Sequence, residues 1–176
     1  GTILLFAFAV VATGNAVNIS DGLDGLAGGL SMIAYGSYGC IALMQEQWYL
    51  AGFCLAVVGA LLSYIWFNVH PARFMMGDTG SFALGAGLGV VAMMTDCFLL
   101  LPIIGGLFVI EAGSSLIQIL SKKFLHRKIF ISAPIHHHLQ AKGWEEEKVV
   151  MRFWVIGGVL AALGVFLAVT GGMIGA

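Results

Sequence analysis

The stretch Asn15-Ala-Val-Asn-Ile-Ser-Asp-Gly-Leu-Asp-Gly-Leu26 breaks a long apolar sequence with a dense group of polar side chains. It contains the amides Asn15 and Asn18, the carboxylates Asp21 and Asp24, and glycines that permit tight turns. Asp21 and Asp24 are three positions apart, so on a turn or helix start they face the same way. The stretch predicts one wall of an active site at a membrane surface. In the alternative interpretation, Asp21 or Asp24 only caps the helix that follows.

The composition around this stretch is typical of a membrane protein. Of the 176 residues, 60% are hydrophobic and 10% are charged, whereas a soluble domain carries about 25% charged residues. Only helices and closed barrels satisfy their backbone hydrogen bonds in lipid, and the alternating pattern of barrel strands is absent. The sequence therefore predicts an all-α, polytopic transmembrane helical bundle, with residues 1–176 forming a single integral membrane domain. It shows no phosphate-binding loop and no basic-aromatic patch for nucleic acid.

The charge-free runs predict about six membrane-spanning segments. The first run is shorter than the roughly 20 residues of a full span. We therefore expect it to be the second half of a helix, and the chain to be the C-terminal part of a longer protein whose N-terminal helices it lacks. Glycines at positions 85, 87 and 89 predict close helix packing. The predicted segments are Thr2–Thr13, Leu26–Met44, Trp48–Phe67, Gly80–Thr95, Cys97–Ser121 and Phe153–Ile174.

Counting the predicted crossings places three polar stretches on one side of the membrane, at residues 15–25, 68–79 and 122–152. All eight Lys and Arg residues fall on that side. The short loops on the other side carry Glu46 and Asp96 and no basic residue. Because basic residues concentrate in cytoplasmic loops, the side that carries the polar stretches is predicted to be cytoplasmic.

The second polar stretch is Phe74-Met-Met-Gly-Asp-Thr-Gly-Ser81, which places Asp78 at the start of a predicted helix. A glycine-rich turn at a helix N-terminus presents backbone N–H groups to phosphate. A carboxylate there can hold a Mg²⁺ ion that bridges phosphate oxygens. A simple N-cap role for Asp78 is the alternative interpretation.

The third polar stretch is Ala133-Pro-Ile-His-His-His-Leu139. Consecutive histidines point in different directions, and zinc pairs usually have a spacing of i and i+4, so one shared zinc ion is not favoured. His136, His137 and His138 follow a proline in a basic loop, where they could donate hydrogen bonds to a diphosphate or to a carrier-lipid phosphate. A solvated histidine run is the alternative.

Glu111 lies inside the predicted span Cys97–Ser121, and an acid at that depth is by default a functional hypothesis. Because Gly105, Gly106 and Gly113 are near it, the alternative is a broken or kinked helix in which Glu111 binds freed backbone groups. The acids Glu145–Glu147 are predicted to begin the last helix, where they suit the positive end of its dipole.

The three stretches, in this order, resemble the phospho-N-acetylmuramoyl-pentapeptide transferase family, one of the polyprenyl-phosphate N-acetylhexosamine-1-phosphate transferases. Residues 15–26 and Met76–Ser81 resemble motifs of the whole superfamily, and residues 133–144 resemble the motif specific to muramoyl substrates. The resemblance covers nearly the whole chain. It implies a ten-helix enzyme of which this chain is roughly the last six helices, with a broken helix at Cys97–Ser121 that helps to form a groove for the lipid.

The resemblance also implies an activity. The family transfers phospho-MurNAc-pentapeptide from UDP-MurNAc-pentapeptide to undecaprenyl phosphate, with Mg²⁺, and releases lipid I and UMP in the first membrane step of peptidoglycan synthesis. The implied location is the bacterial plasma membrane with a cytoplasmic active site. Implied partners are the two substrates and membrane lipids, with a homodimer as one candidate assembly. The family's Asp-Asp pair does not occur in this sequence, so we expect the 176-residue chain alone to be inactive.

Roles for single residues follow from their position in the matching motifs. Asp78 matches the Mg²⁺ ligand, and Asn18 and Asp21 match the pair near the ribose and phosphates. Met75 stands where the family usually has a Phe that packs on uracil, and Gln140 stands where it often has Glu. The uracil-contacting segment matches Gly22, Leu23 and Asp24, and the diphosphate-side cluster matches His136, His137 and His138. The expected catalytic residues are Asp21, Asp78, His136, His137 and His138.

Three rival functions remain open at this stage. A sister transferase that uses UDP-GlcNAc shares the first two motifs, but those relatives lack the triple histidine. A transporter or channel would place carboxylates in the middle of its spans, and of the acids discussed only Glu111 fits. An inactive membrane scaffold is the third alternative.

Overall fold

The computed structural model describes residues 2–173, and the predicted end of the last segment, Ile174, lies outside that range. Within it the chain forms eight α-helices and no β-strand, which confirms the all-α prediction. A 3₁₀ turn at Phe98–Leu100 leads into α5, and a π turn at Ser121–Leu125 ends α6. The helices are α1 (Thr2–Ser20), α2 (Leu26–Met44), α3 (Trp48–Asn68), α4 (Gly77–Met94), α5 (Leu101–Ile104), α6 (Gly106–Leu120), α7 (Ile135–Ala141) and α8 (Glu146–Thr170).

Four helices, α1, α2, α3 and α8, are long and apolar enough to cross a membrane. The segments Phe98–Ile104 and Gly106–Leu125 form a bent pair that makes a fifth candidate span, with an angle of 78° between its two arms. The remaining predicted segment is α4, which is helical over 18 residues but is not among the helices apolar enough to cross. The polytopic helical bundle is therefore present, with four or five candidate spans by this measure instead of six.

The predicted end of the first segment is wrong. Helix α1 does not stop at Thr13 but continues to Ser20, and within it the Asn15 side chain donates a hydrogen bond to the Val11 carbonyl (2.8 Å). Asn15 and Asn18 therefore stand on a helix and not in a loop. Helix α8 begins at Glu146, ahead of the apolar segment that starts at Phe153, which confirms the prediction that the acidic run starts the last helix.

Helix α2 is the centre of the bundle. In it 67% of the residues are buried, against 22–28% in α1, α3 and α8, so the outer helices turn most of their surface outwards. Helix α2 packs against α3, α8 and α4, while α1 packs against α4 and α6. The buried hydroxyls of Tyr35 and Tyr38 donate to the carbonyls of Leu84 (2.7 Å) and Cys97 (3.2 Å), so they tie α2 to the middle of α4 and to the turn that follows α4.

Small residues set the crossing of α1 and α4. A side chain at Gly85 would meet the backbone of Thr13 and Gly14, and one at Gly89 would lie 2.5 Å from the Thr13 hydroxyl oxygen. Gly87 faces the Tyr35 hydroxyl on α2. The predicted role of these glycines in close helix packing is confirmed, and the consequence is that α4 holds its N-terminus beside the end of α1.

The bend near Gly105 confirms the predicted broken helix. The hydrogen-bond partner of Glu111, however, is not the one that the broken-helix interpretation predicts. Glu111 Oε2 lies 2.8 Å from His136 Nδ1, and among the described residues the carboxylate makes no hydrogen bond to a freed backbone group. Beside the bend an apolar groove of about 340 Å³ is lined by Phe8, Ala12, Pro102, Phe108 and Leu116 among others.

Side-chain contacts show which segments meet at the two ends of the bundle. At one end, Gln45 donates to the carbonyls of Thr95 (2.9 Å) and Met173 (2.8 Å). At the other end, the turn after α1, the start of α4 and the start of α8 come together. The polar stretches therefore share one end of the bundle.

Candidate functional site

The turn at residues 21–25 joins α1 to α2 and is fixed from three directions. Gly25 has φ of +78°, a conformation that glycine adopts without steric cost, and its N–H donates to Asn68 Oδ1 (2.8 Å). The Asp24 N–H donates to Glu146 Oε1 on α8 (2.7 Å). The Gly25 carbonyl accepts a bond from Trp154 Nε1 (3.2 Å). The acidic turn is therefore a rigid part of the site.

Asp24 does not act as a helix cap. Its Oδ2 accepts hydrogen bonds from His70 Nδ1 (2.9 Å) and from the Ala72 N–H (2.9 Å). The N-cap of α2 is Gly25, and no side-chain hydrogen bond caps that helix. The alternative in which Asp21 or Asp24 only caps α2 is therefore wrong. Asp24 instead ties the turn to the loop that leads to Asp78.

Asp78 lies in the first turn of α4, with its side chain exposed. Gly77, the residue before it, has φ of +67°. Asn18 Nδ2 donates both to Asp78 Oδ1 (2.9 Å) and to the buried Ser81 hydroxyl (3.0 Å). The N-cap of α4 is Met76 and makes no side-chain cap bond, so the simple capping role for Asp78 is also wrong.

Asp21 is half-buried and lies close to Asp78. The pKa of Asp21 is raised from 3.8 to about 6, chiefly by burial. A hydrogen bond from the Gly77 backbone opposes the rise, and the nearby Asp78 charge adds a smaller contribution to it. Two carboxylates that repel each other in this way are stabilised by a cation or by a positively polarised ligand. The exposed Asp78 oxygens leave room for such a group.

The three histidines point in different directions, as their consecutive positions predict. His136 is fully buried, and its Nδ1 lies 2.8 Å from Glu111 Oε2. His137 Nδ1 lies 2.9 Å from Gln140 Oε1 within α7, and His138 Nδ1 accepts the Ile131 N–H (3.1 Å). Of the three side chains, His136 is the one that reaches the acidic turn.

The segment matched to uracil contact is only partly available to a ligand. Gly22 is exposed, whereas the Leu23 side chain is 3% exposed and packs in the core, so Leu23 can offer a ligand only its backbone. Phe74 packs edge-on against Tyr64, with ring centroids 5.5 Å apart. Met75 is half-exposed beside Asn68, where its sulfur lies 3.7 Å from Asn68 Nδ2.

Within residues 2–173, one group of three side chains has ligand atoms close enough to hold a metal ion together. It consists of Asp24, His70 and Glu146, whose ligand atoms all lie within 4.8 Å of one another, and it does not include Asp78. The hydrogen bonds already described account for Asp24 Oδ2 and Glu146 Oε1. The group therefore acts as a polar clamp between the turn, the 69–76 loop and α8.

Sequence reasoning missed Asn68 as a residue of the site. Asn68 is 2% exposed and ends α3, where its Oδ1 accepts the Gly25 N–H and its Nδ2 donates to the Phe74 carbonyl (2.9 Å). It therefore connects the first polar stretch to the second. The only available signal was an amide at the end of a long apolar run.

The chain is similar in sequence to known proteins. The family model described as glycosyl transferase family 4 matches residues 1–96. The chain is 50% identical over 161 residues to the phospho-N-acetylmuramoyl-pentapeptide-transferase of Rubrobacter xylanophilus, a match that covers 92% of the chain and 49% of that protein. It is 47% identical over 169 residues to the protein of the same name from a Geobacillus species, covering 96% and 52%. The chain thus spans about half the length of the curated relatives it matches.

Proposed function

Because the chain belongs to glycosyl transferase family 4, we propose that it forms the nucleotide-sugar side of a membrane transferase. The proposed reaction moves phospho-MurNAc-pentapeptide from UDP-MurNAc-pentapeptide to undecaprenyl phosphate, and it releases UMP and lipid I. The activity for which these relatives are named supports this choice of substrate. The observation that carries the proposal is the pairing of Asn18 with Asp78 beside Asp21, which gathers two separate polar stretches at one end of the bundle.

Phosphoryl transfer depends on positioning and on neutralisation of charge more than on covalent chemistry of the protein. We assign the binding of the nucleotide to the exposed backbone at Gly22, the carboxylate of Asp24 and the side chain of Met75. Asn18 keeps Asp78 in one orientation through its 2.9 Å hydrogen bond. Asp21 and Asp78 then face the diphosphate of the substrate.

A Mg²⁺ ion fits this pair of carboxylates, since it binds through one or two carboxylates and otherwise keeps water and substrate phosphate oxygens as ligands. The support on the protein side is the position of the half-buried Asp21 close enough to the exposed Asp78 for their charges to interact. Asp78 would hold the ion, and the ion would supply charge neutralisation at the phosphates. The Asp24 group is less suited, because Asp24 Oδ2 accepts two hydrogen bonds and Glu146 Oε1 accepts one, whereas the exposed Asp78 carboxylate accepts a single bond, from Asn18 to its Oδ1.

The second substrate is a lipid, so its reacting phosphate must meet a soluble nucleotide at the membrane surface. The apolar groove beside the bend between α5 and α6 offers a surface for a prenyl chain. We place the active site on the cytoplasmic side of the bacterial plasma membrane. The reason is that the Lys and Arg residues of the chain lie on the same predicted side as the polar stretches.

The test measures UMP release by the complete natural protein in detergent, with Mg²⁺, UDP-MurNAc-pentapeptide and undecaprenyl phosphate. We expect release that requires both the lipid and the metal, and that collapses in Asp78→Asn. Asp96→Asn is the matched control, because Asp96 lies at the opposite end of the bundle. Release from UDP-GlcNAc instead would assign the chain to the sister transferases. A folded protein that releases UMP from neither substrate would contradict the proposal and favour the transporter or scaffold alternatives.

A further inference from the structure

Glu111 and His136 form a fully buried pair that no step of the proposed reaction uses. Both side chains are 0% exposed, and His136 Nδ1 lies 2.8 Å from Glu111 Oε2. Glu111 belongs to α6, behind the bend, and His136 belongs to the first turn of α7. Burying a carboxylate with an imidazole costs more than an apolar pair of the same size, so such a pair usually marks a specific requirement.

The pair has two atoms with no hydrogen-bond partner among the described residues, Glu111 Oε1 and His136 Nε2. His136 Nε2 is directed at the acidic turn. A Cβ atom at Gly22 would lie 2.5 Å from it, so only a glycine leaves room for the ring. Gly22 is exposed on its other face. The imidazole edge therefore lies directly beneath the exposed backbone that precedes Leu23 and follows Asp21.

We propose that Glu111 is a positioning residue of the transferase site that acts through His136. The carboxylate accepts a hydrogen bond from the Nδ1–H of His136. This bond fixes the tautomer and the orientation of the ring, as carboxylates do for functional histidines elsewhere. The ring then supports Gly22 from below and sets where Asp21 lies relative to Asp78. Glu111 itself touches neither the nucleotide nor the lipid. This inference rests on the proposed function and deepens it.

The geometry explains why the carboxylate comes from α6. The bend at Gly105 redirects the chain, so the arm that follows carries Glu111 to the buried side of α7. Gln118, further along the same helix, accepts the N–H groups of Ile129 (3.1 Å) and Phe130 (3.0 Å) and donates to the Phe130 carbonyl (2.8 Å). Helix α6 thus holds both the loop before the histidines and the first histidine.

The test compares Glu111→Leu, Glu111→Gln and the control Ser114→Ala in the complete natural protein. Ser114 is buried on the same helix, but its hydroxyl only donates to the Glu111 carbonyl (2.8 Å), so the control leaves the pair intact. We expect Glu111→Leu to lower kcat for UMP release by about 10–100-fold, with little change in KM for the nucleotide sugar. Glu111→Gln keeps an oxygen that can accept a hydrogen bond from Nδ1–H. Its kcat should therefore lie between the values of Glu111→Leu and Ser114→Ala.

A second readout does not depend on activity. Nitrogen-15 NMR of histidine-labelled protein reports which ring nitrogen of His136 carries the bonded proton. We expect protonated Nδ1 in the wild type, in Glu111→Gln and in Ser114→Ala, and a changed tautomer balance in Glu111→Leu.

The outcomes separate the two proposals. A wild-type protein that releases no UMP refutes the proposed function, while the NMR comparison still tests the pair. An unchanged kcat or an unchanged tautomer in Glu111→Leu overturns the positioning role. The same conclusion follows if both Glu111 variants show a lower Tm, a lower kcat and a higher KM together, since that pattern indicates a fold defect and not a positioning role.

Discussion

Asn18 and Asp78 are 60 positions apart in the chain, yet Asn18 Nδ2 donates a 2.9 Å hydrogen bond to Asp78 Oδ1. This bond joins the end of α1 to the first turn of α4, and it depends on the close crossing of those two helices. It orients the carboxylate that we assign to the metal, which makes it the most direct link between packing and function in this protein.

Replacing Asn18 should therefore impair activity more than stability. Asn18→Ala frees Asp78 to rotate and leaves the buried Ser81 hydroxyl without its amide neighbour. Because charge-assisted hydrogen bonds contribute about 1.5–3 kcal/mol, we expect kcat/KM for UMP release to fall by roughly 10–100-fold. Asn15→Ala on the same helix is the control, since Asn15 bonds only to Val11. Equal activity of the two variants would contradict the assignment.

The raised pKa of Asp21 predicts a pH dependence of stability with a definite sign. Since its pKa is about 6 in the folded protein and 3.8 ordinarily, the folded state binds more protons between those values. The free energy of unfolding should fall as pH rises from about 4 to about 6. Above pH 6, Asp21 should cause no further change in it.

Thermal unfolding in detergent across this pH range tests the prediction. Asp21→Asn should flatten the decline, and Asp96→Asn, at the other end of the bundle, should leave it in place. In the wild type, activity should rise as Asp21 ionises near pH 6. A decline of the same size in wild type and Asp21→Asn would show that another group is responsible.

Asn68 should prove to be a stability residue as well as a site residue. Asn68→Ala leaves the Gly25 N–H and the Phe74 carbonyl without their partner, and an unsatisfied buried group costs about 1–3 kcal/mol. We expect a lower Tm and a weaker affinity for UMP, measured by calorimetry. Ser63→Ala is the control, because Ser63 lies on the same helix and bonds only to Gly59. Unaltered UMP affinity would separate Asn68 from the site.

The crossing of α1 and α4 should not tolerate a methyl group at Gly85. Gly85→Ala would press on the backbone of Thr13 and Gly14, and overpacking of this kind costs about 1–3 kcal/mol. We expect a lower Tm and a loss of UMP release, since the strain separates Asn18 from Asp78. Gly59→Ala has no atom within 4 Å of the new Cβ and should leave both unchanged.

The sequence alone determined the fold class, and it predicted that the polar stretches with the candidate carboxylates share one end of the bundle. Hydrocarbon excludes unpaired backbone groups, so apolar runs of this length must form helices, and the order of the crossings then places residues 15–25, 68–79 and 122–152 at one end. The bend at Gly105 and the packing of Gly85 were likewise readable, because glycine in a membrane helix has few other uses.

Only the tertiary structure decided which polar groups pair. It joined Asn18 to Asp78, placed Asn68 between two stretches and paired Glu111 with His136 where the sequence suggested freed backbone groups. It also showed that neither Asp24 nor Asp78 caps a helix. The physical reason is that a hydrogen bond acts over about 3 Å, and that closeness between distant residues depends on how helices cross. The residue types in the sequence show which side chains can form hydrogen bonds, and helix packing determines which of those bonds form.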